Sequence, residues 1–446
     1  MTGAEPVGSA TLAERATAGV LADLSRVNQG AGRGVVVDSP PGAGKSALVV
    51  RAAGELAEAG ERVMVVAQTN EQVNDLVDRL ATDRSDLRIG RLSASDYVPA
   101  ERVARHQTVT VSEKAADLAD HAVVLGTAHK WAMTGVDAAR PWAIIDEAYQ
   151  MRADLMLRVA RLFTAGLFVG DPGQLDPFST VATERWTGLS WDPTQSAVSV
   201  LLRNNPDIPV HMLPVSWRLP ASAAPVVSEA FYPFTGFRAG TTAGERTMEW
   251  NTRAFGMNAL DCVLETAAAD GWALCELPAL HTLRTDAEVA DTCAALAARL
   301  LQRGAVARSE LGEAAVTASR IAIGAAHRDQ AQAVRAALAA RGVAGITVDT
   351  ANRLQGREFD LVVVWHPLSG RRDATAFHLE SGRLCVLTSR HRHACVVVAR
   401  AGIPELLDAH PSAEPMFLNV PAKFPDGWEA NQSLLVHLSR HRVRAA

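Results

Sequence analysis

Short runs of continuous apolar residues alternate along the chain with longer segments whose apolar positions recur every three or four residues. The continuous runs are rich in valine and isoleucine, which is typical of parallel strands buried on both faces. The periodic segments are typical of amphipathic helices. The clearest strands are predicted at 63–67, 123–125 and 143–145, and the clearest helices at 11–27, 71–80 and 286–303. Strands that alternate with helices predict an α/β fold with parallel, helix-covered sheets.

The first apolar run, at Gly34, leads into the sequence SPPGAGKS at residues 39–46. Glycines there let successive backbone N–H groups converge on an anion, and the N-terminus of the following helix adds its positive dipole end. In such a loop Lys45 reaches the β and γ phosphates and Ser46 holds Mg²⁺. An ordinary turn between strand and helix is the alternative. The predicted nucleotide-binding residues are Pro41, Gly42, Ala43, Gly44, Lys45, Ser46 and Ala47.

Lysine is rare in this sequence, which supports a specific role for Lys45. The chain has 44 basic residues, and only four are lysines (Lys45, Lys114, Lys130 and Lys423). Because arginine is planar and larger than the compact ammonium group, it does not replace a point charge under a phosphate.

A pair of carboxylates follows the strand at 143–145, in the sequence AIIDEAYQ. In a P-loop fold the aspartate at this strand end, here Asp146, anchors Mg²⁺, and the adjacent Glu147 orients and deprotonates the attacking water. The alternative is an acidic N-cap for the next helix. Together with the loop at 39–46, the pair predicts an ATP and Mg²⁺ site.

Composition limits the classes of partner. The 446 residues are 48% hydrophobic, enough for two or three domains, and the formal net charge of −5 gives no global attraction for nucleic acid. A nucleic-acid partner must therefore be held by a local groove. The five scattered cysteines suit a reducing compartment, and no apolar run is long enough to span a membrane. We expect a cytoplasmic monomer without membrane contact.

The order of motifs resembles that of the superfamily 1 helicases, in the 1B branch that includes the RNA-surveillance helicases and their bacterial DNA relatives. In chain order, the matching sequences are SPPGAGKS, AQTN, LGTA, DEAYQ, GDPGQLDP, LPVSWRLP, VDTANRLQGREFD and CVLTSRHRHACVVV. The resemblance implies two RecA-like domains with an ATP cleft between them. We place domain 1 at residues 1–203, domain 2 at 204–402 and a C-terminal extension at 403–446.

The resemblance also assigns roles to individual residues. Gln174 takes the place of the family's glutamine that senses the γ-phosphate. Arg390 takes the place of the arginine finger. Glu358, in the sequence VDTANRLQGREFD, takes the place of a nucleotide contact. The implied catalytic residues are Lys45, Asp146, Glu147, Gln174, Arg218 and Arg390, and the implied metal ligands are Ser46 and Asp146. The implied nucleic-acid contacts are Thr69, Asn70, Gly126, Thr127 and Thr350.

The resemblance implies an ATP hydrolase that moves 5′ to 3′ along single-stranded DNA or RNA and couples hydrolysis to translocation. A P-loop switch that binds a protein partner without translocating is the second hypothesis. The gap between residues 80 and 123 is too small for a folded insert, and we expect one small subdomain at 240–280. The basic end, SRHRVRAA, is expected to be a frayed, solvated terminus.

Overall fold

The computed structural model describes residues 8–175, 177, 186, 189, 192–193, 195–252, 258–283, 285–411 and 425–445. The chain forms two compact units. Unit 1 contains the described residues of 8–172 and 176–214, and unit 2 contains those of 173–175, 215–411 and 425–445. The changeover lies at Pro214, whereas the sequence-based boundary is at Arg203. No helix in this described part of the chain is long and apolar enough to cross a membrane.

Unit 1 is built on one parallel sheet. Its strands are β1 (Gly34–Asp38), β2 (Val63–Ala67), β3 (Ile89–Leu92), β4 (Val109–Ser112), β5 (Val123–Thr127), β6 (Trp142–Asp146), β7 (Ala165–Gly170) and β8 (Val210–Met212). Among the described residues they lie in the order β4-β3-β5-β2-β6-β7-β1-β8, and every pair of neighbours is parallel. Residues 81–122 therefore extend this sheet through β3 and β4.

Helices cover both faces of that sheet. They are α1 (Ser9–Asn28), α2 (Lys45–Glu58), α3 (Asn70–Asp83), α4 (Glu101–Ala104), α5 (Ala128–Ala132), α6 (Ala153–Ala160) and α7 (Ala197–Asn204). Val35 and Val37 of β1 pack in one apolar cluster with Leu48 of α2, while Val36 packs in the opposite cluster with Trp131 of α5. This two-sided burial explains why the strands have continuous apolar sequences.

Unit 2 has its own parallel sheet and a small antiparallel one. Its strands are β9 (Val215–Ser216), β10 (Arg238–Ala239), β11 (Thr247–Trp250), β12 (Trp272–Leu277), β13 (Ala305–Ser309), β14 (Gly312–Ala315), β15 (Ile321–Ala325), β16 (Thr347–Thr350), β17 (Phe359–Trp365), β18 (His391–Arg400) and β19 (Arg442–Arg444). The parallel sheet has the order β16-β15-β17-β18-β12-β19, and β11, β13 and β14 form the antiparallel sheet. The two-residue strands β9 and β10 pair with each other.

The helices of unit 2 flank its parallel sheet. They are α8 (Ala224–Phe231), α9 (Ala259–Asp270), α10 (Ala287–Arg303), α11 (Arg328–Ala340), α12 (Ala351–Leu354), α13 (Ala376–Leu379), α14 (Ser381–Thr388), α15 (Ile403–Ala409) and α16 (Gly427–Ser439). Alternate residues of β17 enter opposite clusters, Val362 in one and Val363 in the other. The predicted α/β fold, two P-loop-type domains with parallel, helix-covered sheets, is confirmed.

Two expectations for the second half of the chain are wrong. The basic end is not frayed, because β19 pairs with β12 and both Arg442 and Arg444 form ion pairs with Glu276. Residues 240–280 do not form a separate subdomain, since β12 lies inside the parallel sheet between β18 and β19. Sequence periodicity could not show either pairing because the partners are distant in sequence.

Candidate active site

The loop after β1 has the backbone geometry of a phosphate cradle. Gly44 has φ of 91° and stands at the N-cap of α2, and Gly42 has φ of 73°. These left-handed conformations suit glycine because they bring a Cβ too close to the following carbonyl oxygen. Lys45 is the first residue of the helix, so its ammonium group and the orphan N–H groups of the first turn share one end of α2.

Lys45 and Glu147 form an ion pair across two neighbouring parts of unit 1. The Lys45 Nζ lies 3.3 Å from the Glu147 Oε1, and the two side chains are 15% and 7% exposed. The other carboxylate oxygen accepts a hydrogen bond of 2.8 Å from the Gln150 Nε2. Both oxygens of Glu147 are thus held, one by the P-loop lysine and one by a residue of its own segment.

The backbone of Glu147 is in an uncommon conformation. Among the described non-glycine residues, it alone has a positive φ, 51°. Such a residue costs on the order of 1–3 kcal/mol and persists where surrounding contacts hold it, most often at functional sites. The contacts to Lys45 and Gln150 supply that support.

Asp146, at the end of β6, is a buried carboxyl group. Burial and the neighbouring charge of Glu147 raise its pKa, while Lys45 acts in the opposite direction. Its Oδ1 accepts a hydrogen bond of 3.0 Å from the backbone N–H of Glu147. A buried carboxylate is stabilised by a cation, and hydroxyl and carboxylate oxygens are ligands that Mg²⁺ prefers. Ser46 and Asp146 therefore fit the ion that the sequence predicts.

A buried aspartate–tyrosine pair at the same sheet edge was not predicted from the sequence. The Tyr149 hydroxyl donates a hydrogen bond of 2.6 Å to the Oδ1 of Asp38, the last residue of β1. Burial raises the pKa of Asp38 to about 6, the Tyr149 hydrogen bond opposes this, and the charge of Asp171 adds to it. The available signal was a charged residue directly after three consecutive valines.

The predicted nucleic-acid contacts of unit 1 lie at the ends of β2 and β5, which are neighbours with Ala67 opposite Thr127. Thr69 caps α3 by accepting from the Gln72 N–H, and Thr127 caps α5 by accepting from the Lys130 N–H. The structure brings these segments to one edge of the sheet.

Gly126 has a packing reason to be glycine. A Cβ there would lie 2.9 Å from the Trp131 Nε1 and 3.3 Å from the carbonyl oxygen of Leu92. The Trp131 indole fills this space and donates to the carbonyl oxygen of Val65.

Unit 2 brings together residues from three of the sequence motifs. The Glu358 carboxylate accepts from the Arg218 Nε at 3.3 Å and from the Arg392 Nη1 at 3.2 Å. Burial acts to raise the pKa of Glu358, but the charges of Arg218 and Arg392 outweigh it, so the pKa lies below its ordinary value. The predicted nucleotide contact Glu358 is thus an ion-pair partner of two motif arginines.

Three further predicted residues also lie in unit 2. The Gln174 Oε1 accepts a hydrogen bond of 2.8 Å from the Gln355 Nε2, and Thr350 is buried at the N-cap of α12. Arg390 is fully buried, with its Nε donating to the carbonyl oxygen of Val386 at 3.0 Å. Its Nη2 donates to the Ser389 hydroxyl at 2.7 Å. The roles assigned to these residues remain predictions.

Two family models, each described as an AAA domain, match the chain in succession, at residues 24–185 and 194–402. The first match contains the P-loop and the Asp146–Glu147 pair, and the second contains the Arg218–Glu358–Arg392 group. The chain thus consists of two successive AAA domains, which supports the resemblance to the superfamily 1 helicases. No curated protein matches this chain in sequence.

Solved helicase structures are similar to this chain. The PRRSV helicase is 13% identical with a TM-score of 0.41, and the match covers 92% of this chain and 57% of that one. The Arterivirus nonstructural protein 10 helicase is 12% identical with a TM-score of 0.43, both alone and in a complex with DNA. Those two matches cover 87% of this chain and 61% and 62% of the others. This chain thus spans about three fifths of the length of these solved chains.

Proposed function

We propose that the chain is a nucleic-acid-dependent ATPase that translocates 5′ to 3′ along single-stranded DNA or RNA. The observation that carries the proposal is the contact between Lys45 at the start of α2 and Glu147 after β6. The alternatives were an ordinary turn at residues 39–46 and an acidic N-cap at Asp146–Glu147. Neither requires an ion pair between Lys45 and Glu147 or a positive φ at Glu147. The ion pair suits a site that binds phosphate and activates water.

In this proposal the P-loop backbone and Lys45 bind the β and γ phosphates, and Ser46 and Asp146 hold Mg²⁺. The metal, when bound, neutralises charge that develops on the phosphates. Arriving phosphate oxygens compete with Glu147 for the Lys45 ammonium group. Release of the Glu147 Oε1 then leaves that oxygen able to accept a proton from the attacking water, while Gln150 keeps the carboxylate oriented.

The remaining motif residues couple hydrolysis to the strand. We propose that Gln174, Arg218 and Arg390 act on the terminal phosphate and that Glu358 contributes to nucleotide binding, as the family resemblance implies. An arginine that stabilises the transition state of phosphoryl transfer is worth roughly 10³ to 10⁵ in rate. Thr69, Asn70, Gly126, Thr127 and Thr350 would contact the strand backbone.

The decisive experiment measures ATP hydrolysis with and without single-stranded DNA and RNA oligomers of matched sequence, at low and moderate salt. We expect stimulation by a strand and weaker stimulation as salt rises, because phosphate contacts release counterions. Glu147→Gln should bind nucleotide but lose turnover by a factor of roughly 10² to 10⁴, the usual size of a general-base contribution.

The second hypothesis gives a different result in the same assay. A nucleotide-operated switch that binds a protein partner would hydrolyse ATP at a rate that neither DNA nor RNA changes. Strand-independent hydrolysis together with no measurable strand binding would overturn the proposal of a translocase. The DNA and RNA arms also decide which strand the enzyme uses, since that choice depends on contacts to the 2′-OH.

A further inference from the structure

Unit 1 contains a fully buried guanidinium group, that of Arg91 on β3. Its Nη2 donates to the Asn70 Oδ1 at 2.8 Å, and its Nε donates to the Asn74 Oδ1 at 3.3 Å. Its Nη1 contacts the carbonyl oxygen of Leu92, and its Cζ lies 4.6 Å from the centre of the Tyr97 ring. Every one of these partners is an uncharged group.

Among the described residues, no carboxylate balances the charge of Arg91. In the part of the chain that the structure describes, burial lowers the pKa of Arg91, Tyr97 is the group that opposes this, and no carboxylate contributes. Arginine nevertheless keeps its proton in proteins. An unpaired buried charge destabilises the folded state, and a neighbouring carboxylate would reduce this destabilisation.

Arg91 also fixes the orientation of Asn70. A guanidinium group has donors and no acceptor, so the amide atom that it meets must be the Asn70 oxygen. The Nδ2 donors of Asn70 are then left for another partner, and the residue is exposed. Asn70 is the first residue of α3, where the helix dipole also favours an anion.

The position of β3 places this group beside both predicted strand-binding segments. β3 pairs with β5, and Arg91 lies opposite Leu125 while Leu92 lies opposite Gly126. Asn70 itself follows β2, the neighbour of β5 on the other side.

We propose that Arg91 is a positioning residue for a polynucleotide: it locks Asn70 with its amide donors outward, and its unbalanced charge favours a backbone phosphate at this edge. The inference rests on the proposed function. It concerns the phosphodiester backbone, so it applies to DNA and RNA alike.

The sharpest test places a carboxylate beside Arg91 without removing its hydrogen bonds. Asn74→Asp keeps an oxygen for the Arg91 Nε and for the Tyr97 hydroxyl, which donates to the Asn74 Oδ1 at 2.7 Å. We expect this variant to melt no lower than the wild type because it pairs a buried charge. Its affinity for a labelled oligothymidine should fall about tenfold, the size of one charge-assisted hydrogen bond.

The salt dependence of binding gives a readout that a structural role would not move. The slope of log Kd against log salt should fall by about 0.7 for each phosphate interaction lost on a single strand. Arg91→Met should lose the same affinity and slope, and Arg91→Lys should restore the slope but only part of the affinity, since one ammonium cannot bridge both asparagines.

Arg140 provides a matched control. It is also buried in unit 1 and donates to backbone carbonyl oxygens of His121 and Leu118, but it precedes β6 and so lies at the amino end of the strands. Burial lowers its pKa to about 10. Arg140→Met should lower the melting temperature and leave strand affinity and salt slope unchanged.

The possible results separate the inference from the proposed function. If the wild type binds a strand while Asn74→Asp and Arg140→Met both retain its affinity and slope, the inference is wrong and the proposed function stands. If the wild type binds neither oligothymidine nor oligouridine, both fail. Loss of affinity and slope in Asn74→Asp with a preserved melting temperature supports the inference.

Discussion

Glu147 shows how single residues in this protein are held by contacts that compensate for one another. Its positive φ costs free energy, and its two carboxylate oxygens contact Lys45 and Gln150. Removing either contact takes away part of the support for the strained backbone. Arg390 is constrained in a comparable way in unit 2, where its guanidinium group is held by Val386 and Ser389.

Arg390→Ala should retain ATP binding and lose most turnover, by roughly 10³-fold or more if Arg390 is the arginine finger. The measurement is single-turnover hydrolysis beside nucleotide affinity. Because the side chain is fully buried, the melting temperature of the variant has to be recorded as well. Arg392→Ala, which removes an ion pair with Glu358, is the comparison variant. Near-normal hydrolysis in a folded Arg390→Ala protein would rule out the finger role.

What local sequence patterns can predict is that a residue lies directly after a strand. Lys45, Ser46, Asp146 and Glu147 follow strands at fixed spacing, so pattern alone placed them at one sheet edge. Asp38 was missed because its partner, Tyr149, is 111 residues away. A pairing of that kind depends on which strands become neighbours, and the strand order is a property of the folded sheet.

At the scale of elements, α2 connects the loop geometry to anion binding. The helix is 14 residues long, begins at Lys45 and packs through Leu48, Ala52 and Leu56 against the sheet. That burial holds the helix N-terminus in place. Gly44 at its start and Gly60 just beyond its end both have left-handed backbones, with φ of 91° and 84°. Neither would place a Cβ within 4 Å of another atom.

Gly44→Ala and Gly60→Ala therefore form a matched pair. Each should lower the free energy of unfolding by about 1–2 kcal/mol, the cost of a left-handed conformation for an L-residue with a side chain. Only Gly44→Ala should also weaken binding of ATP, because only that backbone lines the P-loop. Urea unfolding and nucleotide titration measure the two effects. Equal nucleotide affinity in both variants would mean that the Gly44 backbone does not shape the phosphate site.

Elements were predicted well where one face or both faces are buried in the unit's own core. The strand predicted at 63–67 forms β2 at Val63–Ala67, and the helix predicted at 286–303 forms α10 with Asp286 as its N-cap. β19 was missed because it is short and charged, with the sequence RVR. Its place in the sheet comes from pairing with β12 and from Glu276, neither of which leaves a local pattern.

At the scale of the whole molecule, the groups with strongly shifted pKa values are divided between the units. Burial lowers the pKa of His366, His378 and His437 to about 4 and that of His391 to about 3, and all four lie in unit 2. In unit 1, burial raises the pKa of Asp38 to about 6 and also raises that of Asp146. Burial also lowers the pKa of His121 in unit 1, so this histidine opposes the effect of the two aspartates.

Mild acid should therefore change the two units in opposite directions. As the pH falls from 7 to 5, these histidines become protonated in the unfolded state, near pH 6.5, but stay neutral in folded unit 2. The free energy of unfolding of unit 2 therefore falls. Folded Asp38 and Asp146 take up protons before their unfolded counterparts, so unit 1 gains stability over the same range. Hydrogen exchange of peptides from each unit, corrected for intrinsic rates, measures this. A parallel change in both units would contradict the prediction.

Separating long duplexes requires protein surface that keeps the strands apart. In the described residues, 81–122 are used to extend the sheet of unit 1, and the antiparallel sheet of β11, β13 and β14 is the small addition in unit 2. We therefore expect the chain to displace bound proteins and to open duplexes of about one helical turn, ~10 bp, next to a 5′ single-stranded tail.

Strand-displacement assays with graded duplex length and either tail measure this, with Glu147→Gln as the inactive control. Release of a protein block from the strand end, followed in parallel, reports translocation without duplex opening. Efficient unwinding of duplexes of several turns would show that the existing surfaces suffice to part the strands. Activity that requires a 3′ tail would show that the polarity implied by the family resemblance is wrong.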